Sequence, residues 1–218
     1  MLITGTPGEI GECVFKDHIY KYRFAYFKYN LESGWYMNNE MALRHRFWDI
    51  QPGQVVADVG ACFGSWTLPA LAAGATVYAF EPHLQIYQEL VYNASLNEFT
   101  ELHPFNKAVW STSGQILDLP QIDLSMMRRP NDNQPVMKVS TVSLDDALAD
   151  LDRLDWIKID IEGAEIEVLN GARQVIDKHN PRMIIEWHSD RNKDPELTYL
   201  KDFKVQQIDP GHYLVQQR

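Results

Sequence analysis

The sequence predicts an α/β fold, with a mostly parallel central sheet, helices on both faces and an antiparallel hairpin at its C-terminal end. Three observations predict it. Short apolar runs such as Val55–Val59 and Thr76–Phe80 alternate with longer amphipathic stretches that suit helices. Runs this short and this apolar suit strands covered on both faces, as parallel strands are. The last two runs, Lys204–Ile208 and Tyr213–Gln216, flank Asp209-Pro210-Gly211-His212, a turn sequence for a hairpin.

Taken in order, the chain opens on an aromatic-rich leader over residues 1–37. There Tyr20, Tyr22, Phe24 and Tyr26 alternate with Lys21, Arg23 and Ala25, a strand pattern with one apolar face. Residues 38–50 read as a helix with Asn38 or Asn39 as its cap, broken by Gln51-Pro52-Gly53. The strand Val55–Val59 is followed by a helix over Gly64–Ala73, which Gly74 stops. The strand Thr76–Phe80, a helix over Leu84–Leu96 and a strand at Leu102–Phe105 come next. Gln115–Leu119 and Met137–Ser140 read as added strands around a loop at 120–135 that is rich in Pro, Asn, Asp and Arg. Ser143–Leu151 is a helix, with Ser143 as its cap and Asp146 three residues on. Trp156–Ile161 is a strand, Ala164–Lys178 a helix and Met183–Trp187 a strand. With no internal repeat, the reading is one domain over residues 1–218: an N-terminal leader at 1–50, then a core at 51–218 with the inserted loop 120–135.

Composition narrows the function classes. The chain is 45% hydrophobic and 23% charged, as globular proteins are. Its net charge of -10 repels a phosphate backbone, so nucleic acid is disfavoured as a partner. Arg44 with Arg46, and Arg128 with Arg129, read as solvated charge rather than as a basic patch. No apolar run is long enough to cross a membrane, and the start lacks the basic-then-apolar pattern of a secretory signal. Cys13 and Cys62 make neither a disulfide framework nor a zinc motif. Two free thiols suit a cytoplasmic protein. The oligomeric state is not legible.

Right-handed crossovers put a ligand at the carboxyl ends of the parallel strands. The first core strand ends in Asp58-Val59-Gly60-Ala61-Cys62-Phe63-Gly64. A buried strand-end acid needs a donor, glycines permit close approach of backbone to ligand, and the following helix offers free N–H groups. This is not the GxGxxG of nicotinamide enzymes. The second strand ends in Phe80-Glu81-Pro82. Glu81 reads either as an acceptor for two ribose hydroxyls or as an acid favoured by a helix dipole, with Pro82 in the first turn. Two acids at neighbouring strand ends favour an adenosyl ligand.

These residues resemble the FkbM-type family of class I S-adenosylmethionine-dependent methyltransferases. The resemblance rests on the two blocks above and on Val142-Ser143-Leu144-Asp145-Asp146 running on to Ile157-Lys158-Ile159-Asp160-Ile161-Glu162-Gly163-Ala164-Glu165. Val168-Leu169-Asn170-Gly171-Ala172 and Ile184-Ile185-Glu186-Trp187-His188 follow in order, so that residues 40–190 are covered. It implies a Rossmann-like class I methyltransferase fold with S-adenosylmethionine as cofactor. Asp58, Gly60, Ala61 and Gly64 would lie beside the methionine half, and Glu81 with Pro82 at the ribose. Glu40 stands where an acid reaches the cofactor's amino group, though it reads equally as a surface helix acid. The family transfers methyl to oxygen on small molecules or sugars. Cys62 and Phe63 depart from the Asn and Ile usual there, so a side-chain hydrogen bond from position 62 is in doubt.

Candidate catalytic residues follow from parity in the strand at 156–162. Lys158, Asp160 and Glu162 share one face, which brings both acids to the strand's end. Glu186 and His188 repeat the spacing on the next strand. His188 or Asp160 is expected to take the acceptor's proton, with Glu186 positioning its hydroxyl. The same four residues, Asp160, Glu162, Glu186 and His188, are also a conceivable ligand set for magnesium or manganese, a version not favoured. Glu165 reads as a helix-start acid and Lys158 as the neutraliser of a buried carboxylate. The expected acceptor is a small molecule or glycan. An RNA ribose methyltransferase and a noncatalytic adenosyl-binding module are the alternatives.

Overall fold

The apolar runs become strands because their side chains find cover on both faces. The computed structural model describes residues 10–23, 42–121, 135–188 and 199–218. Phe24, Tyr26, Asn38, Asn39 and Glu40, and the loop expected at 120–135 over its residues 122–134, lie outside the described residues.

The central sheet has seven strands, built around β3 (Val55–Val59), β4 (Thr76–Phe80), β5 (Leu102–Phe105), β9 (Trp156–Ile159) and β10 (Arg182–Glu186). With β11 (Phe203–Asp209) and β12 (His212–Gln217), the order is β11-β12-β10-β9-β3-β4-β5. Five strands are parallel, and β12 runs antiparallel to both β10 and β11. The chain builds outward from β3 through β4 and β5. It then returns to lay β9 on the other side of β3. The crevice where the winding reverses is therefore at the carboxyl ends of β3 and β9.

Alternation along the strands feeds two cores. One holds Val56, Val77, Trp156 and Ile184, and α1 (Thr67–Ala72) and α2 (Leu84–Ser95) cover it with Leu68, Leu71, Ile86 and Leu90. Trp48 and Trp66 meet edge-on there, with ring centroids 5.1 Å apart. The other holds Ala57, Val59, Ile157, Ile159 and Ile185 beneath α3 (Leu144–Ala147), α4 (Glu165–Asn170) and α5 (Arg173–His179). No helix among the described residues is long and apolar enough to cross a membrane.

The differences from expectation have local causes. β1 (Ile10–Phe15) pairs with β2 (His18–Arg23) as a hairpin whose Cys13, Phe15, Tyr20 and Tyr22 are buried. The first strand was not anticipated, because Gly11 leaves its buried face without a side chain and Glu12 breaks the run of apolar residues. β6 (Ala108–Val109), too short for any pattern, joins β7 (Ile116–Pro120) and β8 (Val136–Val142) in a small separate sheet. The helix expected over Ala164–Lys178 is broken in two at Gly171. Asp145 takes both halves of one helical bond: its N–H donates to Gly171 O at 2.8 Å, and its Oδ1 accepts from Val175 N at 3.0 Å. Trp110 passes so close that a Cβ on Gly171 would lie 2.2 Å from its carbonyl oxygen. Ser143 caps α3 as expected, accepting from Asp146 N at 3.1 Å, but the helix ends at Ala147.

Gly171→Ala must displace backbone, so a loss of about 2–4 kcal/mol of stability is expected. The exposed neighbour substitution Asn170→Ala should change stability by less than about 0.5 kcal/mol. Urea unfolding of both variants tests this, and equal midpoints would contradict the contact.

Candidate active site

Parity places the first two charged groups. Asp58 and Lys158 lie on the same face and stand opposite each other in the parallel register of β3 and β9. Both are buried, Asp58 completely. The Lys158 ammonium donates to Gly60 O at 2.8 Å and lies 3.4 Å from both Asp58 Oδ1 and Asp160 Oδ2. Thr67, at the start of α1, donates its hydroxyl to Asp58 Oδ2 at 2.6 Å. Charge this deep is tolerable only with such partners. The expectation that Lys158 neutralises a buried carboxylate is thus met twice over.

The turn after β3 needs glycine at position 60. Its φ is +77°, and a Cβ would fall 1.9 Å from the Asp160 carbonyl oxygen. Gly64, at φ +99°, has Leu90 and Leu68 where a Cβ would go, so it serves the packing of α1 against α2. The loop's N–H groups, expected to face a ligand, are spent internally. Those of Gly60 and Ala61 both donate to Phe80 O at 3.0 Å, and that of Cys62 to Glu81 Oε2 at 3.1 Å. Regular helix starts only at Thr67.

Glu81 is buried at the end of β4, and its Oε1 accepts from His83 N at 2.9 Å. Burial pushes its carboxyl up to about 7, against the pull of these two backbone donors. Each oxygen keeps a second lone pair, so the group is fixed in orientation and still able to accept. Asn106 holds the same corner by donating to Glu81 O and Pro82 O, each at 2.9 Å. Pro82 is not in the first helical turn, because His83 is the cap and α2 begins at Leu84.

At the other side of the crevice β9 ends at Ile159, three residues sooner than the parity argument assumed. Glu162 at φ 60° and Gly163 at φ 110° then turn the chain. Glu162 is 75% exposed, yet its Oε2 comes within 3.5 Å of His188 Nε2. Glu165 departs most from expectation. It is wholly buried, and its Oε1 accepts from Gly163 N at 2.8 Å and sits 2.8 Å from His188 Nδ1. That bond, against the effect of burial, lifts His188 to about 9, so the imidazole is protonated at neutral pH.

Glu186 is shared between two histidines: Oε1 is 3.9 Å from His188 Nε2, and Oε2 is 3.7 Å from His212 Nε2. Burial and the Asp160 carboxylate push Glu186 up to about 8. Burial also acts on Asp160, but the Lys158 ammonium and a hydrogen bond with Glu186 outweigh it and hold Asp160 below its ordinary value. Near neutral pH the pair therefore has its charge on Asp160 and its proton on Glu186. Trp66, Lys158, Ile159, Asp160, Ile184, Glu186 and His212 line a small pocket here.

The structure thus gathers Asp58, Gly60, Ala61, Glu81, Asp160, Glu162, Glu186 and His188 at one edge of the sheet. Among the described residues no three His, Cys, Asp or Glu side chains converge as metal ligands do; these groups pair with one another instead. Sequence reasoning missed the roles of Thr67, Glu165 and His212. Glu165 had one usable signal: a glycine turn directly after a strand folds the next helix's first acid back beneath the strand's end. Nothing local marks His212, which arrives through strand pairing.

Comparison with known proteins identifies the family and the fold. The family model described as Methyltransferase FkbM domain matches residues 58–208. The chain is 26% identical over 159 residues to the hexuronic acid methyltransferase AglP of Haloferax volcanii, covering 72% of this chain and 65% of that protein. An FkbM methyltransferase from Methylobacillus flagellatus superposes with a TM-score of 0.56 at 19% identity, over 79% of this chain and 46% of that one. An rRNA methyltransferase of T. thermophilus, RsmC, crystallised with AdoMet and guanosine, superposes with a TM-score of 0.54 at 14% identity, over 96% of this chain and 50% of that one. The chain spans less than two thirds of each of these relatives. The solved structures establish the fold: class I methyltransferase, mostly parallel, with a C-terminal antiparallel pair.

The Glu165–His188 bond makes a prediction with a definite sign. His188 is raised from 6.5 to about 9, so its contribution to stability is complete below 6.5 and is lost as pH rises through 9. Glu186, raised from 4.5 to about 8, adds a loss of the same sign over that lower window. In Glu165→Gln the His188 titration, followed by NMR, should fall to about 7 or lower. The pH-dependent loss of stability between 6.5 and 9 should shrink by about 1–3 kcal/mol. An unchanged His188 titration would refute the assignment.

Proposed function

The chain belongs to the FkbM methyltransferase family, and from that premise we propose that it transfers a methyl group from S-adenosylmethionine to an oxygen of a small molecule or sugar. The observation that carries this reading is Glu81, a buried carboxylate aimed by two backbone donors into the crevice beside Asp58 and Lys158. The residues fit the cofactor. A carboxylate fixed at the end of the second core strand suits two ribose hydroxyls. Gly60 lets the turn after β3 pack directly on the Asp160 carbonyl, and Asp58 Oδ1, buried and without a hydrogen bond, lies 3.4 Å from the Lys158 ammonium behind that turn. Glu40, outside the described residues, is proposed for the cofactor's amino group.

When bound, the cofactor supplies an electrophilic methyl on a sulfonium. The chain's own work is then to hold the acceptor in line with that methyl and to exclude water. Asp160 and Glu162 offer negative charge beside a cationic donor. Glu186, whose proton is held in its hydrogen bond with Asp160, positions the acceptor's hydroxyl through its other oxygen, and the His188 imidazolium holds Glu186 and Glu162. The sugar-acid substrate named for the Haloferax volcanii relative supports a small-molecule or glycan acceptor. The free thiols of Cys13 and Cys62 suit a cytoplasmic setting.

Calorimetric titration with S-adenosylmethionine tests the reading. Micromolar binding is expected, weakened about 10-fold or more in Glu81→Ala as hydrogen bonds to a charged group are lost. An absence of binding by the unsubstituted protein would refute it.

A further inference from the structure

Two histidines approach the same carboxyl group from different strands, and their rings are held in different ways. His188 is held at Nδ1 by Glu165 and faces Glu162 and Glu186 with Nε2. His212 enters from the C-terminal hairpin, opposite Glu186 in the register of β10 and β12. Its turn is tied to the end of β10 by Trp187 N donating to Gly211 O at 2.6 Å. Its Nδ1 lies 3.4 Å from Pro210 O, a carbonyl that can only accept. Nδ1 therefore carries the hydrogen, and Nε2 keeps its lone pair beside Glu186, 3.7 Å from Oε2, at the carboxyl end of β10.

Resting on the methyltransferase reading above, we propose that His212 Nε2 is the general base that takes the proton of the acceptor hydroxyl. The acceptor's O–H bond breaks, and its electron pair stays on oxygen as the proton moves to Nε2. That oxygen forms the new bond to the methyl carbon, and the pair from the broken S–C bond remains on sulfur. The proton later leaves His212 for solvent. His188, protonated and bound on both nitrogens, has no lone pair to offer. Asp160 is committed to Lys158 and Glu186. The groups facing His212 are Glu186 from β10, Lys158 from β9, Asp160 just past the end of β9, and Asp209 from β11. Burial outweighs the carboxylates among them and lowers its pKa, leaving the ring neutral at pH 7.

Histidine-labelled protein, read by long-range proton–nitrogen NMR with His212→Gln to assign the signal, should show His212 as the neutral Nδ1–H form near pH 7. An Nε2–H or doubly protonated ring there would overturn the proposal, whatever the acceptor proves to be. With labelled S-adenosylmethionine and the methyl glycoside of glucuronic acid as probe, His212→Gln should lower kcat about 100-fold or more. Cofactor affinity should stay within about twofold, and the acid limb of the pH profile should disappear. An unchanged kcat and profile would also overturn it. Failure of the unsubstituted protein to bind the cofactor would count against the methyltransferase reading, while the NMR result still decides the state of the ring.

Discussion

The ammonium of Lys158 sits between Asp58 and Asp160 with its third contact on the carbonyl of Gly60, and the mouth of the sheet is arranged around it. Three segments far apart in sequence meet there: the end of β3, the glycine turn that follows it, and the end of β9. Removing the ammonium would strand a carboxylate that has no exposure to water, a far larger penalty than losing a surface pair. The same charge sets the next group along. By holding Asp160 ionised, Lys158 leaves Glu186 as the partner that keeps the proton. A structural pair at the ends of β3 and β9 thereby fixes the protonation pattern at the end of β10.

Most of the sheet was legible because its strands are short, mostly apolar and separated by helices of a different period. Val55–Val59, Thr76–Phe80 and Leu102–Phe105 came out with the expected bounds. The pattern failed where tertiary contacts override it. Nothing within Ala164–Lys178 says that Asp145 will intercept a helical bond, and nothing in Ile10–Phe15 outweighs its glycine and glutamate. The acids at the strand ends were legible for a chemical reason: a carboxylate at the end of a buried strand is too costly to be incidental. Parity held within the strand, as far as Lys158. It stopped being valid after Ile159, where the chain leaves the sheet. Glu162 reaches His188 through a left-handed turn and not through strand geometry.

Glu165 and His212 show what one-dimensional reading loses. Both act through side chains brought in from a neighbouring element, one folded back beneath a strand and the other delivered by an antiparallel hairpin. An acid in the first turn of a helix has a sufficient local explanation, so its burial and its bond to a histidine cannot be seen from its neighbours. A histidine after Pro-Gly looks like turn composition. Register alone decides that it faces Glu186.

On the function proposed above, methyl transfer to oxygen must meet two opposed electrostatic demands in one crevice. The donor is a cation, which negative charge favours; the acceptor must give up a proton, which negative charge alone opposes. Distributing the groups along the sheet edge separates the demands. Asp58, Asp160 and Glu162 lie toward the β3–β9 crevice, with Lys158 to make their burial tolerable. Glu186 stands between that cluster and the hairpin. Held protonated, it adds no negative charge beside His212, and held by His188 from behind, it keeps a fixed position. The antiparallel strand β12 is what makes this possible. Because β11 runs parallel to β10, the β11–β12 turn lies at the same end of the sheet as the end of β10, and β12 starts there with a histidine directly opposite Glu186.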